Sequence, residues 1–278
     1  PPHGATGRSF HRNLCDDSQQ HRIGPVNAGS ETTFDAFLGG RLTLEQPTKG
    51  YRAGVDPVLL AAAVRAQAGQ SVLELGCGTG AALLCLATRV SGLAIHGVEV
   101  QRRYADLCRA NARANNIDAT IWTADLRDLP SDLRALTFDH VMVNPPYFKR
   151  SSGNSSPLPD RDIAFAGDTA TVNWIDTATR RLKPKGTLTM IQKADRLPDL
   201  LRAIDERLGA INVYPITGRV GRAADRIILR ARKGGRTPFK LHAPIPLHDG
   251  PSHVSDGDDY RPEIAGILRY GRDFYLAD

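Results

Sequence analysis

Asn144, Pro145, Pro146 and Tyr147 follow directly on an apolar run that ends at Val143. Neither proline has a backbone N–H and both hold φ near about −65°, so the tetrapeptide is a stiff arch with free carbonyls. The side-chain oxygen of Asn144 and the main-chain carbonyl of Pro145 can together accept both hydrogens of an exocyclic NH₂. The Tyr147 ring supplies a face for stacking. As an isolated match the arch reads equally as a proline-rich turn that caps a strand.

Three acids upstream change that balance. Glu74 precedes the turn Gly76-Cys77-Gly78-Thr79-Gly80, Glu99 closes Gly97-Val98-Glu99, and Asp125 follows Thr123-Ala124. Glycines let the backbone pass close to a ligand, and a helix beyond them presents N–H groups and a positive dipole end. A GxGxG turn alone fits mononucleotide sites, dinucleotide sites and plain tight-turn packing comparably well. The acids discriminate: Glu99 can accept both hydroxyls of a ribose, and Asp125 can accept an adenine amino group or hold the loop that does. Glu74 can take up a cationic amino group, directly or through water. A Walker lysine is lacking, and so is the GxGxxG spacing of a nicotinamide site. An adenosine without phosphates, bearing a cationic amino-acid tail, fits this set, and S-adenosylmethionine is such a ligand. Each acid singly reads as a helix cap or surface pair; together they stand at three successive strand ends.

The elements that must hold these residues alternate regularly. Strands are expected over 71–75, 94–99, 119–124 and 138–144, with helices over 80–89 and 101–115. A helix over 169–182, a strand over 186–192, a helix over 195–208 and strands over 211–216 and 226–232 complete the unit. This is the pattern of an α/β, Rossmann-like doubly wound sheet. It should be mostly parallel, with a C-terminal antiparallel hairpin, because the last connection is too short for a helical crossover. Asp56 is expected to cap a helix that has Pro57 at its first position. Residues 1–32, rich in Gly, Ser, His, Asn and Gln, read as a flexible tail. Residues 33–278 then form one domain, with short strands and turns ahead of the sheet and a basic region behind it.

At 278 residues with 41% hydrophobic and 24% charged content, the chain has the composition of an ordinary globular protein. Nothing approaches the roughly 18 apolar residues of a membrane span, and no secretory signal is apparent. Cys15, Cys77, Cys85 and Cys108 lack CxxC spacing, so reduced thiols in the cytoplasm are expected, with no metal site. The formal charge is +6. Residues 202–240 concentrate it, with ten basic groups against three acidic ones. That suits a polyanion such as nucleic acid, although a solvated basic face is the ordinary alternative. Arg219, Arg222, Arg226 and Lys233 are the expected phosphate contacts.

The order Glu74 to Gly80, Gly97-Val98-Glu99, Ala124-Asp125 and Asn144-Pro145-Pro146-Tyr147 resembles that of class I methyltransferases acting on planar nitrogens. The flanks Ala36 to Leu42, Gly50 to Asp56, Leu241-His242 and Ile267-Leu268-Arg269 resemble the bacterial tRNA adenine-N6 methyltransferases that modify position 37 of valine tRNA. The resemblance spans about residues 34 to 276. It implies the class I methyltransferase fold, S-adenosylmethionine as cofactor and tRNA as partner. It also implies a methionine-end pocket shaped by Arg52 and Asp56 beside Glu74, Gly76, Cys77, Gly78 and Gly80. The chain departs from the family at 164–168, which bears on how that side of the site closes. Two other readings stay open: methylation of a glutamine amide in release factors, and a cofactor-binding, RNA-binding protein without catalysis. The oligomeric state is open as well.

Overall fold

The computed structural model describes residues 31–146, 170–250 and 259–276. The segment expected as a flexible tail (1–32, save its last two residues) lies outside them, as do Tyr147 and residues 164–168, where the chain departs from the family. An antiparallel hairpin of β1 (Thr32–Phe37) and β2 (Leu42–Pro47) comes first. The main sheet contains β3 (Ser71–Leu75), β4 (Ala94–Glu99), β5 (Ala119–Thr123), β6 (Phe138–Val143), β7 (Leu182–Lys193), β8 (Leu208–Thr217), β9 (Arg226–Lys233), β10 (Lys240–Leu241) and β11 (Ile245–Pro246). Its helices are α1 (Val55–Ala63), α2 (Ala81–Arg89), α3 (Arg102–Ala114), α4 (Ser131–Ala135), α5 (Thr171–Arg181), α6 (Leu197–Ala203) and α7 (Pro262–Tyr270).

Parallel strands covered on both faces must be apolar almost throughout. Val72 to Leu75 of β3 and His140 to Val143 of β6 are buried without a break. The sheet order is β10-β8-β9-β7-β6-β3-β4-β5, with β11 also on β8. Only β9 runs against the others, pairing antiparallel with both β7 and β8. The chain steps outward from β3 to β4 and β5, then crosses back to lay β6 on the other side of β3. That reversal opens a crevice at the carboxyl ends of β3 and β6, where ligands of open α/β sheets bind.

Each face of the sheet has its own core. Leu59, Leu60, Leu83, Leu84 and Ile267 pack on one side, and Leu133, Trp174, Ile175 and Leu200 on the other. The hairpin is anchored to the first side by Asn111 of α3. Its Oδ1 accepts the Glu45 N–H at 2.7 Å, and its Nδ2 donates to Glu45 O and Thr79 O, both at 3.0 Å. One side chain thus ties the hairpin to the glycine turn.

Several expectations are corrected in detail. Asp56 is not the cap of α1, which begins at Val55 behind Gly54; the carboxylate sits within the first turn instead, where it still faces the helix dipole. The helix expected over 195–208 shrinks to a 3₁₀ turn, Ala194–Arg196, and α6. Ile204 is extended and Leu208 already opens β8, so the apolar period there belongs to two elements. The sequence gave no warning of α4 or α7.

Candidate active site

Because β3, β4, β5 and β6 are parallel, their carboxyl ends share one edge of the sheet. Register places Leu75 opposite Val143, so the residues that follow, Gly76 and Asn144, leave the sheet side by side. The structure therefore brings the glycine turn and the arch together across the crevice, with Glu99 next to the turn and Asp125 just beyond the end of β5.

The glycine turn spends four of its five N–H groups internally. Gly76 and Cys77 donate to Val98 O at 2.8 and 2.9 Å, Gly78 to Glu99 Oε2 at 2.9 Å, and Gly80 to Cys77 O at 2.8 Å. A phosphate cradle needs such amides free, so this turn suits a ligand without phosphates. The glycines are sterically required at two points. Gly76 has φ +71° and a Cβ there would meet the Trp174 ring at 2.8 Å. Gly80 has φ +92° and a Cβ would meet Cys108 Sγ at 2.7 Å.

Glu99 is buried and accepts one backbone N–H on each oxygen, from Gly78 and from Gln101, both at 2.9 Å. A carboxylate oxygen accepts two hydrogen bonds, so one acceptor site per oxygen remains for a vicinal diol. Burial pushes its pKa up, against the pull of those N–H groups. Glu74 is also buried, with Oε2 accepting the Leu83 N–H at 3.0 Å. It thereby supplies the acceptor for α2 that Gly80, at the cap position, cannot. Burial, with smaller contributions from Cys108 and Glu99, raises its pKa well above the carboxylate range. Among the described residues it has no cationic partner. A ligand ammonium would compensate the ionised form.

The other expected cofactor residues divide. Asp125 is gripped by Arg127, whose Nε and Nη2 reach its oxygens at 2.6 to 3.1 Å, and its pKa is lowered by that fork. Arg52 is turned to the hairpin, where it meets Asp35 Oδ2 at 2.5 Å, Thr33 Oγ1 at 2.7 Å and Pro47 O at 2.9 Å. Its contacts are those of a clamp on β1 and β2. Asp56 pairs with Arg226 Nε at 2.7 Å and lies close enough to raise the pKa of the Tyr51 phenol.

Tyr51 is the residue that sequence reasoning missed, although it lies in the Gly50 to Asp56 segment that carries the resemblance. Its phenol lies near enough to the Asn144 side chain for that amide to act on its pKa. Its ring passes over the glycine turn, 3.8 Å from where a Gly78 Cβ would stand. Its backbone N–H is held by the Tyr104 hydroxyl at 3.0 Å. The residue is 48% exposed. Desolvation by the surrounding protein, then the charges of Glu74 and Asp56, push its pKa up, opposed by the Asn144 amide. The available signal was an aromatic flanked by Gly50 and Gly54, short of any apolar period.

The expected phosphate contacts are mostly occupied within the chain. Arg219 pairs with Asp259 and donates to Asp249 O, Arg226 pairs with Asp56 and Asp225, and Lys233 donates to Thr179 O and Leu182 O at 2.8 and 2.7 Å. Arg222 is exposed and makes no side-chain hydrogen bond or ion pair among the described residues. Arg226 and Lys233 also stand at opposite ends of β9, roughly 24 Å apart along the strand. The basic stretch is thus not one surface.

Comparison with known proteins agrees with this geometry. A profile of the methyltransferase small domain family matches residues 53–218. The tRNA1(Val) (adenine(37)-N6)-methyltransferase of Porphyromonas gingivalis is 34% identical over 65% of this chain and 76% of its own. That of Haemophilus influenzae strain Rd is 24% identical over 89% of this chain and 99% of its own. Among solved structures, a predicted O-methyltransferase of Agrobacterium tumefaciens superposes with a TM-score of 0.63 at 24% identity, over 79% of this chain and 98% of that one. A 16S rRNA N2 methyltransferase of T. thermophilus, in complex with AdoMet and guanosine, gives 0.51 at 24% identity, over 73% of this chain and 50% of that one. The matched region runs from just before α1 to the end of β8 and so contains every element that builds the crevice: this chain belongs to the methyltransferase small domain family and is an S-adenosylmethionine-dependent methyltransferase.

Proposed function

We propose that the enzyme methylates the exocyclic N6 amine of an adenine in tRNA. The observation that carries this is the placement of Asn144 beside the glycine turn, with the Tyr51 phenol near its amide. The names of the relatives supply the acceptor class.

S-adenosylmethionine, when bound, supplies an electrophilic methyl group. Glu99 holds the ribose, Glu74 balances the ammonium, and Asp125 with its loop meets the adenine. Arg52 and Asp56 support the methionine end indirectly, Arg52 by fixing the hairpin and Asp56 by its place beside Tyr51. An adenine amine is a weak nucleophile because its lone pair is delocalised into the ring. Asn144 Oδ1 and Pro145 O accept its two hydrogens, which returns electron density to nitrogen and aims the lone pair. As the N–C bond formed, the S–C bond would break and the sulfur leave as a neutral thioether; the cationic methylated nitrogen would then give its proton to solvent, so no strong base is needed at the attack. Orientation supplies most of the acceleration. Pro146 stiffens the arch, and Tyr147 stacks on a base drawn from its helix, offsetting a cost of a few kcal/mol.

Tyr51 is the positioning residue in this reading. An amide offers an oxygen acceptor at one end and NH₂ donors at the other. If the Asn144 NH₂ is engaged by the phenol oxygen, the acceptor end faces the substrate.

The test is transfer of radiolabelled methyl from S-adenosylmethionine to total tRNA, release factor and duplex DNA, with nucleoside analysis of the products. Labelled N6-methyladenosine in the tRNA fraction supports the reading. Label confined to release factor would replace it with glutamine amide methylation.

A further inference from the structure

With Arg219, Arg226 and Lys233 held within the chain, RNA needs other cations, and a different face offers them. A cleft of about 290 Å³ lies between α5, α4 and the segment that follows β5. Arg127, Arg134, Arg180 and Arg181 line it, with Asp176 the one acid among its described lining residues and Arg127 held by Asp125. Leu126, directly after Asp125, and Asn173, in the first turn of α5, place one end of it toward the catalytic edge of the sheet.

The cations differ in how firmly they are held. Arg181 is fixed, donating to Leu133 O, Arg134 O and Leu136 O and so capping the carbonyl end of α4. Arg134 meets Asp128 at 3.6 Å, and Asp128 is 89% exposed, a pair too open to hold the guanidinium in place. Arg180 pairs with Asp176 at 2.8 Å along α5 while 66% of its side chain stays exposed. Like charges crowd this face. The pKa of Arg181 is lowered by burial and then by Arg180 and Arg134, and that of Lys233 by burial and then by Arg207 and Arg181. Crowded guanidinium groups around a polar cleft are relieved by an anion, and arginine forks match the oxygens of a phosphate.

We propose that the α4–α5 cleft seats backbone phosphates of the RNA substrate, with Arg134 and Arg180 as the forks and Arg181 as the fixed charge between them. The inference rests on the RNA reading above and adds where the RNA body lies: along the α5 side of the arch. Lys233 then contributes its charge to this face, whereas Arg226 belongs to the cofactor edge.

The experiment is tRNA binding by the full chain at several salt concentrations, comparing wild type with Arg134→Gln/Arg180→Gln. Arg196→Gln/Arg202→Gln on and beside α6 removes the same charge elsewhere. Loss of two phosphate contacts should flatten the slope of log K against log salt by about 1.4 to 1.8 and weaken binding about tenfold at moderate salt. The α6 pair should change neither by more than a small part of that. Arg134→Lys/Arg180→Lys, which keeps the charge, should restore most of the slope and guards against misfolding. Equal slopes for wild type and the cleft variant, with wild type still methylating tRNA, overturn the inference and leave the RNA reading intact. Failure of wild type to bind or methylate RNA overturns both. Inorganic phosphate that binds wild type tightly without competing with tRNA assigns the cleft to a free anion instead, and also overturns it.

Discussion

In the proposed reaction Asn144 serves in only one of its two flips, and the phenol of Tyr51, near its amide, is the group proposed to choose between them. Tyr51→Phe deletes that oxygen and leaves the ring over Gly78. A lost hydrogen bond of about 1 kcal/mol corresponds to a five- to tenfold fall in kcat, with the dissociation constant for S-adenosylmethionine nearly unchanged. A parallel loss of cofactor affinity would mean that Tyr51 serves the cofactor and leaves Asn144 to other constraints. Glu74 sets up a second residue-scale prediction. Its raised pKa means that the neutral carboxyl stabilises the fold; the contribution is complete below the unfolded value of about 4.3 and is lost as pH rises through the folded one. Glu74→Gln keeps an acceptor for the Leu83 N–H and is neutral at every pH. Its thermal midpoint should exceed that of wild type at pH 8 and converge on it in acid, while cofactor affinity falls. An equal midpoint shift at all pH values would contradict this account. The acids were legible in the sequence because a strand end is a place as well as a residue. The Tyr51 contact was not, because it joins a loop ahead of the sheet to an arch deep within the chain.

At the scale of elements, the central strands announce themselves. β3 and β4 fall on the expected spans, short and largely buried stretches set between turn residues. Helices were less legible where packing alone defines them. α4 has five residues, too few for a period to show, and it is capped from outside by Arg181. The stretch that reads as one helix over 195–208 is cut because β8 claims Leu208. The turn into α2 is tightly constrained. Gly80→Ala places a Cβ against Cys108 Sγ at a φ that side chains rarely adopt. It should cost about 1–3 kcal/mol in backbone strain, plus a share of cofactor affinity, read as a lowered thermal midpoint. Unchanged stability would show that the turn relaxes without it.

Over the whole molecule, the flanks outside the matched region close on each other. Arg41, after the hairpin's first strand, donates to Tyr270 O at 2.8 Å, and Gly39 passes so near Arg269 O that a Cβ would stand 2.6 Å away. Two of the four flanking segments that carry the finer resemblance, Ala36 to Leu42 and Ile267 to Arg269, therefore form one structural unit packed beside α1, a relation that no local pattern reveals. Charge shows the reverse: the basic stretch read as one surface in sequence is divided by the fold between two edges. Among the described residues no helix is long and apolar enough to cross a membrane. The account as a whole depends on Asn144 serving the acceptor amine and not the fold or the cofactor. The most direct measurement is the single-turnover rate of N6-methyladenosine formation in tRNA by Asn144→Ala, with S-adenosylmethionine affinity determined on the same preparation. A fall of about 10²–10³ in rate at nearly unchanged cofactor affinity is predicted, the usual size for loss of one preorganised hydrogen-bonding group at a reacting centre. Methylation of tRNA at the wild-type rate by Asn144→Ala would contradict it.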